Sequence, residues 1–206
     1  MISPVLANIY MHNVLILWFQ YIIARECQGE CFLVVYADDF IAGFQYPWEA
    51  DMFYEKLRSR MAKFGLELEE TKSRIVESGR YFAIAKAKRG ESIRLGSFDF
   101  LGFTFFCGRT KTGKPWIMPK TSSKKFRQKL KDMKLWLYGN KEQKLGKLMY
   151  MLNIRLLGHY RYYGISFNSR MISNFKQQVR ELLFRALNRR SQLKSYNKDL
   201  QIKVKP

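Results

Sequence analysis

Between Cys31 and Phe44 the chain reads C-F-L-V-V-Y-A-D-D-F-I-A-G-F, two adjacent carboxylates held between two apolar, β-branched and aromatic runs. Two neighbouring Asp residues inside one continuous strand would repel each other and leave a charge in the core. The stretch therefore predicts a hairpin, with strands Phe32 to Tyr36 and Phe40 to Phe44 and with Ala37-Asp38-Asp39 at its tip. A turn of two Asp residues is often no more than a solvated turn. Its alternative is a divalent cation, whose charge offsets the proximity of the carboxylates. Oxygen donors of this kind suit Mg²⁺, which keeps waters and substrate phosphates in its shell. A polymerase or a nuclease uses such chemistry beside a basic surface.

The charge distribution supplies that surface. Residues 1–79 carry 7 Lys and Arg against 11 Asp and Glu, a net −4, while residues 80–206 carry 30 against 6, a net +24. The basic character belongs to the second part alone. It points to a polyanion, either nucleic acid or an anionic membrane surface. Three scattered cysteines (Cys27, Cys31, Cys107) and two histidines (His12, His159) make a poor disulfide framework and a poor zinc set, so a reducing, intracellular setting is expected. The apolar N-terminal region is interrupted by Asn8, His12 and Asn13, and its unbroken apolar run, Val14 to Phe19, is far shorter than the ~20 residues of a membrane span. It reads as a buried amphipathic helix, with no membrane partner.

Along the chain, Ser3-Pro4 predicts a helix start, with the helix running to about Ala24. After the hairpin, Pro47-Trp48-Glu49 opens a helix to about Phe64, stopped by Gly65, with Met52, Phe53, Leu57, Met61 and Phe64 as its apolar stripe. Lys72 to Val76 reads as a strand. S-F-D-F-L-G-F-T-F-F, a turn at Thr110 to Pro115 and a return strand Trp116 to Met118 form a second hairpin. From Pro119 the texture changes to basic helices over Thr121 to Tyr138, Lys141 to Leu157 and Ser169 to Arg190. The last of these carries Ile172, Phe175, Val179, Leu182, Leu183 and Leu187 on one face. The composition places a boundary near Met118 to Ser122, giving an α+β part over 1–118 and an all-helical basic part over 119–206. The tail from Tyr196 is polar and basic and is expected to fray.

Several segments in this order resemble a known family. Y-A-D-D-F at Tyr36 to Phe40 resembles the palm motif of reverse transcriptases, and I-S-P-V-L-A-N-I-Y at Ile2 to Tyr10 the helix that precedes it in group II intron enzymes. G-L-E-L-E-E-T-K-S-R-I-V at Gly65 to Val76 is similar to their next palm motif, and F-D-F-L-G-F-T-F at Phe98 to Phe105 to their primer-grip hairpin. N-I-R-L-L-G-H-Y-R-Y-Y-G at Asn153 to Gly164 and R-R-S-Q-L-K-S-Y at Arg189 to Tyr196 resemble the maturase-specific thumb, or X domain. The thumb favours the intron type over the reverse transcriptases of bacterial defence systems.

The resemblance implies an RNA-directed DNA polymerase: a partial palm of antiparallel hairpins followed by a helical thumb. It makes Asp38 the catalytic metal ligand and Asp39 the second acid, with Mg²⁺ as cofactor and Tyr36 and Ala37 near the primer terminus and incoming nucleotide. Lys72 takes the place of a basic residue near the pyrophosphate, a general acid; the plainer alternative is a surface lysine on a strand edge. Leu101-Gly102 is the primer grip, where glycine lets a nucleic-acid backbone come close, or else a β-bulge. Lys124, Lys125, Arg127, Lys129, Lys131, Arg155, Arg161, Arg189 and Arg190 are expected to meet phosphates of a template-primer duplex or intron RNA. His159, Tyr160, Tyr162 and Tyr163 are either a stacking platform for unpaired bases or core. In the family a fingers region and a further catalytic Asp come before the I-S-P helix, and DNA-binding and endonuclease parts come after the thumb. Without them this chain is expected to be weak or inactive alone, to expose an apolar palm face, and to complement an N-terminal half or a second chain. The competing expectation is an RNA-binding splicing cofactor, a maturase without polymerase activity. Either acts inside the cell, in a bacterial cytoplasm or an organelle.

Overall fold

The computed structural model describes residues 3–79, 82, 89 and 96–189, so Arg190, the end of the R-R-S-Q-L-K-S-Y motif and the tail lie outside the described residues. The fold is α+β, with two small antiparallel sheets. It divides into two compact units, residues up to Glu77 and residues from Ser78, each described by itself below. The change in composition near Met118 falls inside the second unit.

In the first unit, helix α1 (Ser3–Met11) continues through two π-helical stretches, His12–Ile16 and Phe19–Ile23, and ends in the turn Ala24–Glu26. A π turn holds more residues than the 3.6 of an α turn. Apolar residues four apart, Leu15, Phe19 and Ile23, therefore stay on one line instead of drifting around the helix. All three are buried, with Val14. The helix from Val5 to Glu26 is long and apolar enough to cross a membrane by length and composition. Only one of its faces is buried; Val5, Leu6, Ile9, Tyr21 and Ile22 are exposed, so the expectation of a buried helix holds for that one face.

The buried face packs against the hairpin of β1 (Cys31–Tyr36) and β2 (Asp39–Phe44) and against helix α2 (Pro47–Lys63), through Phe53, Leu57 and Met61. Phe19, Phe44 and Phe53 meet with ring centroids 5.2 to 6.1 Å apart. Glycine at Gly65, with φ 67°, takes the left-handed conformation that follows the helix end. One acidic side chain, Glu49, is fully buried here. Its Oε1 accepts from the Gln28 and Gly29 amides at 2.7 and 2.9 Å and its Oε2 from Tyr46 N at 3.4 Å. The carboxylate thus serves the first turn of α2 and the loop that feeds β1, where the helix dipole also favours negative charge.

The predicted strand Lys72 to Val76 does not form. Lys72 sits in a turn, with its amide donating to Glu69 O at 3.0 Å, and residues 73–78 have no regular structure. A strand needs a neighbouring ladder, and the only sheet of this unit among the described residues is the two-stranded β1–β2 hairpin.

The second unit begins with a three-stranded sheet, β3 (Phe98–Phe100), β4 (Phe103–Arg109) and β5 (Pro115–Thr121), in that spatial order. It then runs into helices α3 (Ser123–Gly139), α4 (Leu145–Tyr163) and α5 (Ser169–Asn188), whose cores interlock through Leu137, Leu152, Leu156, Phe175, Val179 and Leu183. The sheet is joined to the bundle by Asn168, fully buried. Its Oδ1 accepts from Thr121 N at 2.8 Å, and its Nδ2 donates to Thr121 Oγ1 at 2.8 Å and to Tyr163 O at 2.7 Å. Ser122 caps α3 by accepting from Lys125 N at 3.3 Å.

Removing the Glu49 carboxylate leaves two close amide donors without their acceptor. We expect Glu49→Ala to destabilise the first unit by about 2–4 kcal/mol and Glu49→Gln, which keeps one acceptor oxygen, by roughly half as much, measured by urea unfolding.

Candidate active site and nucleic-acid interface

Register places the hairpin carboxylates. Cys31 pairs with Phe44 and each step continues to Tyr36 opposite Asp39, leaving Ala37-Asp38 as a two-residue turn. Asp38 is in the turn and Asp39 is the first residue of the returning strand. A turn this tight requires backbone with positive φ, and Ala37 supplies it at φ 54°. For a residue with a Cβ this conformation costs about 1–2 kcal/mol. Strand alternation does the rest. Leu33 and Val35 pack toward the core, whereas Phe32, Val34 and Tyr36 are exposed, Tyr36 at 63%. The predicted uncovered apolar sheet face is this one.

Both carboxylates are exposed, and among the described residues neither has a hydrogen-bond or ion-pair partner. The nearby cation is Lys72. Its ammonium is hydrogen-bonded to Glu69 Oε2 at 2.5 Å, which is the main reason its pKa is raised; Asp39 and Asp38 add a weaker pull in the same direction. The same bond, with a second one from Thr71 at 2.9 Å, lowers the pKa of Glu69. Lys72 is thus brought within electrostatic reach of the pair while held by another acid. Its setting is a turn, and it is not on a strand edge.

As donors, Asp38 and Asp39 fit a hard cation that retains water and takes further oxygens from its substrate. Among the described residues no group of three His, Cys, Asp or Glu side chains converges, so these residues supply two carboxylates at the tip and no third.

The second unit holds the other candidates. Leu101-Gly102 connects β3 to β4 as a two-residue turn with φ 49° and 78°, both left-handed, closed by the pair Phe100 and Phe103. It is a turn and not a bulge. Its Gly102 carbonyl accepts from Ser122 N at 3.0 Å and its Leu101 carbonyl from the Tyr162 hydroxyl at 2.9 Å. Tyr162 is exposed and lies parallel to Phe103, with centroids 5.8 Å apart.

On α3, Lys124, Lys125, Arg127, Lys129 and Lys131 are all exposed, around a buried face of Phe126, Met133 and Leu137. Lys124, Arg127 and Lys131 follow one another at helical spacing, and Lys134, not among the sequence-predicted residues, continues that ridge. The three- and four-residue spacing is readable in the sequence, but the interruption of the basic run at Asp132 obscures it. Arg155 and Arg161 project from α4, which contains no acidic residue. Arg155 rests over Trp136 at 4.6 Å and Arg189 over Tyr138 at 5.3 Å. These contacts fix the guanidinium planes without neutralising them.

The aromatic group divides. His159 is buried, stacked on Phe175 at 3.8 Å and close to Tyr163 at 4.7 Å, and Tyr163 is buried with it. Tyr160 is half-buried against the bundle core. Of the four predicted stackers, Tyr162 alone is exposed. Tyr150, at 68% exposure on the same helix, is hidden in the sequence because its neighbours Met149 and Met151 read as core.

The first unit thus presents exposed hairpin carboxylates and the second a cation-rich helical bundle. Residues 1–105 match the family model described as reverse transcriptase (RNA-dependent DNA polymerase), and the chain belongs to this family. No curated protein and no solved structure matches the chain. The matched span covers the first unit and reaches β4; helices α3 to α5 lie beyond it.

Burial drives the His159 pKa down to about 4, with Lys129 adding to the effect. The imidazole is therefore neutral in the folded bundle, while in the unfolded chain it protonates near pH 6.5. Its contribution is complete above pH 6.5 and is lost as pH falls toward 4. Thermal unfolding across pH 7 to 4 should show this decline, and His159→Phe should flatten it.

Proposed function

We propose that the chain is the palm and thumb portion of an RNA-directed DNA polymerase of the group II intron type, and that its helical bundle binds RNA as a maturase thumb does. The observation that carries this reading is the Asp38-Asp39 hairpin within a reverse transcriptase domain. The L-L-G-H-Y-R-Y-Y-G segment, which forms the C-terminal half of α4, supports the intron type. In this reading Asp38 and Asp39 hold Mg²⁺, which supplies charge stabilisation for phosphoryl transfer when bound. Tyr36 and Ala37 lie under the primer end, and the α3 ridge tracks phosphates. Lys72 is the proton donor available to a leaving pyrophosphate, once released from Glu69. The partner is intron RNA or a template-primer duplex. The three cysteines are unpaired thiols, which supports a reducing intracellular compartment, a cytoplasm or an organelle.

A second reading, an RNA-binding splicing cofactor without polymerase activity, is favoured by one observation: the chain brings two metal-binding carboxylates together and no third among the described residues. The resemblance implies that a further donor is supplied by an N-terminal half or a second chain.

Two assays on the full chain separate these readings. RNA affinity should fall steeply with salt, and replacing Lys124, Arg127, Lys131 and Lys134 together by Ala should flatten the log–log slope by about 0.7–0.9 for every phosphate that is no longer neutralised. The Asp38→Ala, Asp39→Ala double variant should bind RNA as the parent does. Mg²⁺-dependent primer extension on an RNA template, absent from that double variant, would establish the polymerase; binding without extension would leave the splicing cofactor. Affinity indifferent to salt and to the four substitutions would overturn both.

A further inference from the structure

The hairpin of β4 and β5 ends in the turn Thr110 to Lys114, T-K-T-G-K. The turn is closed by its own polar groups: Thr110 N donates to Lys114 O at 2.9 Å, Gly113 N to Thr110 O at 2.9 Å, and Lys114 N to the Thr110 hydroxyl at 3.1 Å. Lys111 and Lys114, with Arg109 just before them, are exposed and have no ion-pair partner among the described residues. Between Asp99 and Asp132 the chain carries nine Lys and Arg and no acidic residue, so no neighbour in sequence offsets them.

Strand β5 is an edge of its sheet. Pro115, Pro119 and Lys120 suit an edge, which must resist pairing with other chains. Trp116 does not serve that purpose. Its side chain is 51% exposed and, among the described residues, makes no ring contact and no hydrogen bond through its indole N–H. Register explains why the ring is uncovered: Trp116 pairs with Gly108, so no side chain opposes it across the strands. A Cβ at Gly108 would meet Met118 Sδ at 2.8 Å and the Phe106 ring at 3.2 Å, so those two side chains close over the glycine. Further along the same face Lys120 sits over the Phe106 ring at 4.9 Å. The open indole therefore has a positioned cation beyond it and Lys114 two residues before it, about 7 Å along the strand.

A flat aromatic between spaced cations matches a nucleotide whose base is free to stack and whose phosphates lie close by. Bases inside a duplex present no open face. A membrane contact would lead with apolar side chains, whereas the outermost residues of this hairpin are threonine, lysine and glycine.

We propose that the tip of the β4–β5 hairpin is a separate site for unpaired nucleotides of RNA, in which Trp116 stacks on one base while Lys114 and Lys120 meet the flanking phosphates. This inference rests on the reading of the chain as an RNA binder. It adds a contact that the α3 ridge does not make, one that distinguishes single-stranded from paired RNA.

The test uses the full chain and two RNA duplexes that carry the same short single-stranded overhang, one of adenosines and one of abasic residues. Both probes have the same phosphates and differ only in the base faces they offer. The parent should bind the adenosine overhang at least about fivefold more tightly, the size of one base–aromatic stack. Trp116→Leu, which keeps an apolar side chain without a ring, should bind both probes as the parent binds the abasic one, with an unchanged thermal midpoint; Trp116→Tyr should retain the preference. Lys114→Ala should weaken both probes by a similar factor. A parent that does not distinguish the probes, or a Trp116→Leu variant that keeps the full preference, would overturn the inference while leaving RNA binding on α3 standing. Equal weakening of both probes by Trp116→Leu with a lowered midpoint would overturn it in favour of a structural side chain. Binding to phosphatidylserine vesicles that Trp116→Leu abolishes, with no preference between the RNA probes, would assign the tip to a membrane instead. Failure of the parent to bind either RNA would remove the underlying reading as well.

Discussion

The arrangement of the first unit depends on the register of one hairpin. Strand side chains alternate, so a slip of one residue would send Leu33 and Val35 to solvent and Phe32 and Val34 to the core, and would move both carboxylates off the tip. Two features hold the register. Buried Glu49 fixes the loop that leads into β1 by binding the Gln28 and Gly29 amides, and the two-residue turn fixes the far end through the positive φ of Ala37. Each carries a local cost, a buried charge at one end and a strained backbone at the other. They are sustained by the aromatic packing of Phe19, Phe44 and Phe53 between them. The exposed face of the sheet follows from the same alternation and needs no separate cause.

In the second unit the corresponding role belongs to Asn168. A fully buried amide side chain has three of its bonding sites filled by Thr121 and Tyr163, at the junction where β5 ends, α4 ends and α5 begins. Polar groups buried this way are costly unless all are matched, and once matched they specify one arrangement. The Leu101-Gly102 turn sits on this junction through Ser122, the next residue after Thr121. The backbone of the turn is therefore positioned by the helices, and not only by the strands it connects.

The hairpin, helix α2 and the three basic helices are legible in the sequence because each is specified by short-range chemistry: alternation for β1 and β2, Pro47 and Gly65 at the ends of α2, and helical periodicity through Phe175, Val179 and Leu183. Lys72 to Val76 misleads because apolar, β-branched residues describe a strand's preference and not the presence of a partner ladder. Asn168 is invisible for a related reason. Its partners lie forty-seven and five residues earlier in the chain, and nothing in S-F-N-S marks a junction. At the candidate site, the positions of Asp38 and Asp39 and the exposure of the α3 lysines can be read directly. The division of His159, Tyr160, Tyr162 and Tyr163 between core and surface cannot, since four polar aromatics within five residues cover more than a full helical turn and periodicity alone does not say which side meets Phe175.

The separation of charge between the units has a physical logic in a protein of this family. Carboxylates that hold a metal must stay unpaired; a basic residue placed against them would occupy the oxygens a cation needs. Lys72 illustrates the compromise, because its bond to Glu69 keeps it within the field of Asp38 and Asp39 without forming an ion pair with either. Attraction for a polyanion must then come from elsewhere, and it is concentrated where the 30 basic residues are. Because counterion release makes such attraction the main source of affinity for nucleic acid, the proposed function assigns binding and chemistry to different residues in different units. Under that assignment, holding RNA does not depend on the hairpin carboxylates, which is why the two functional readings share one binding surface and part only at the hairpin.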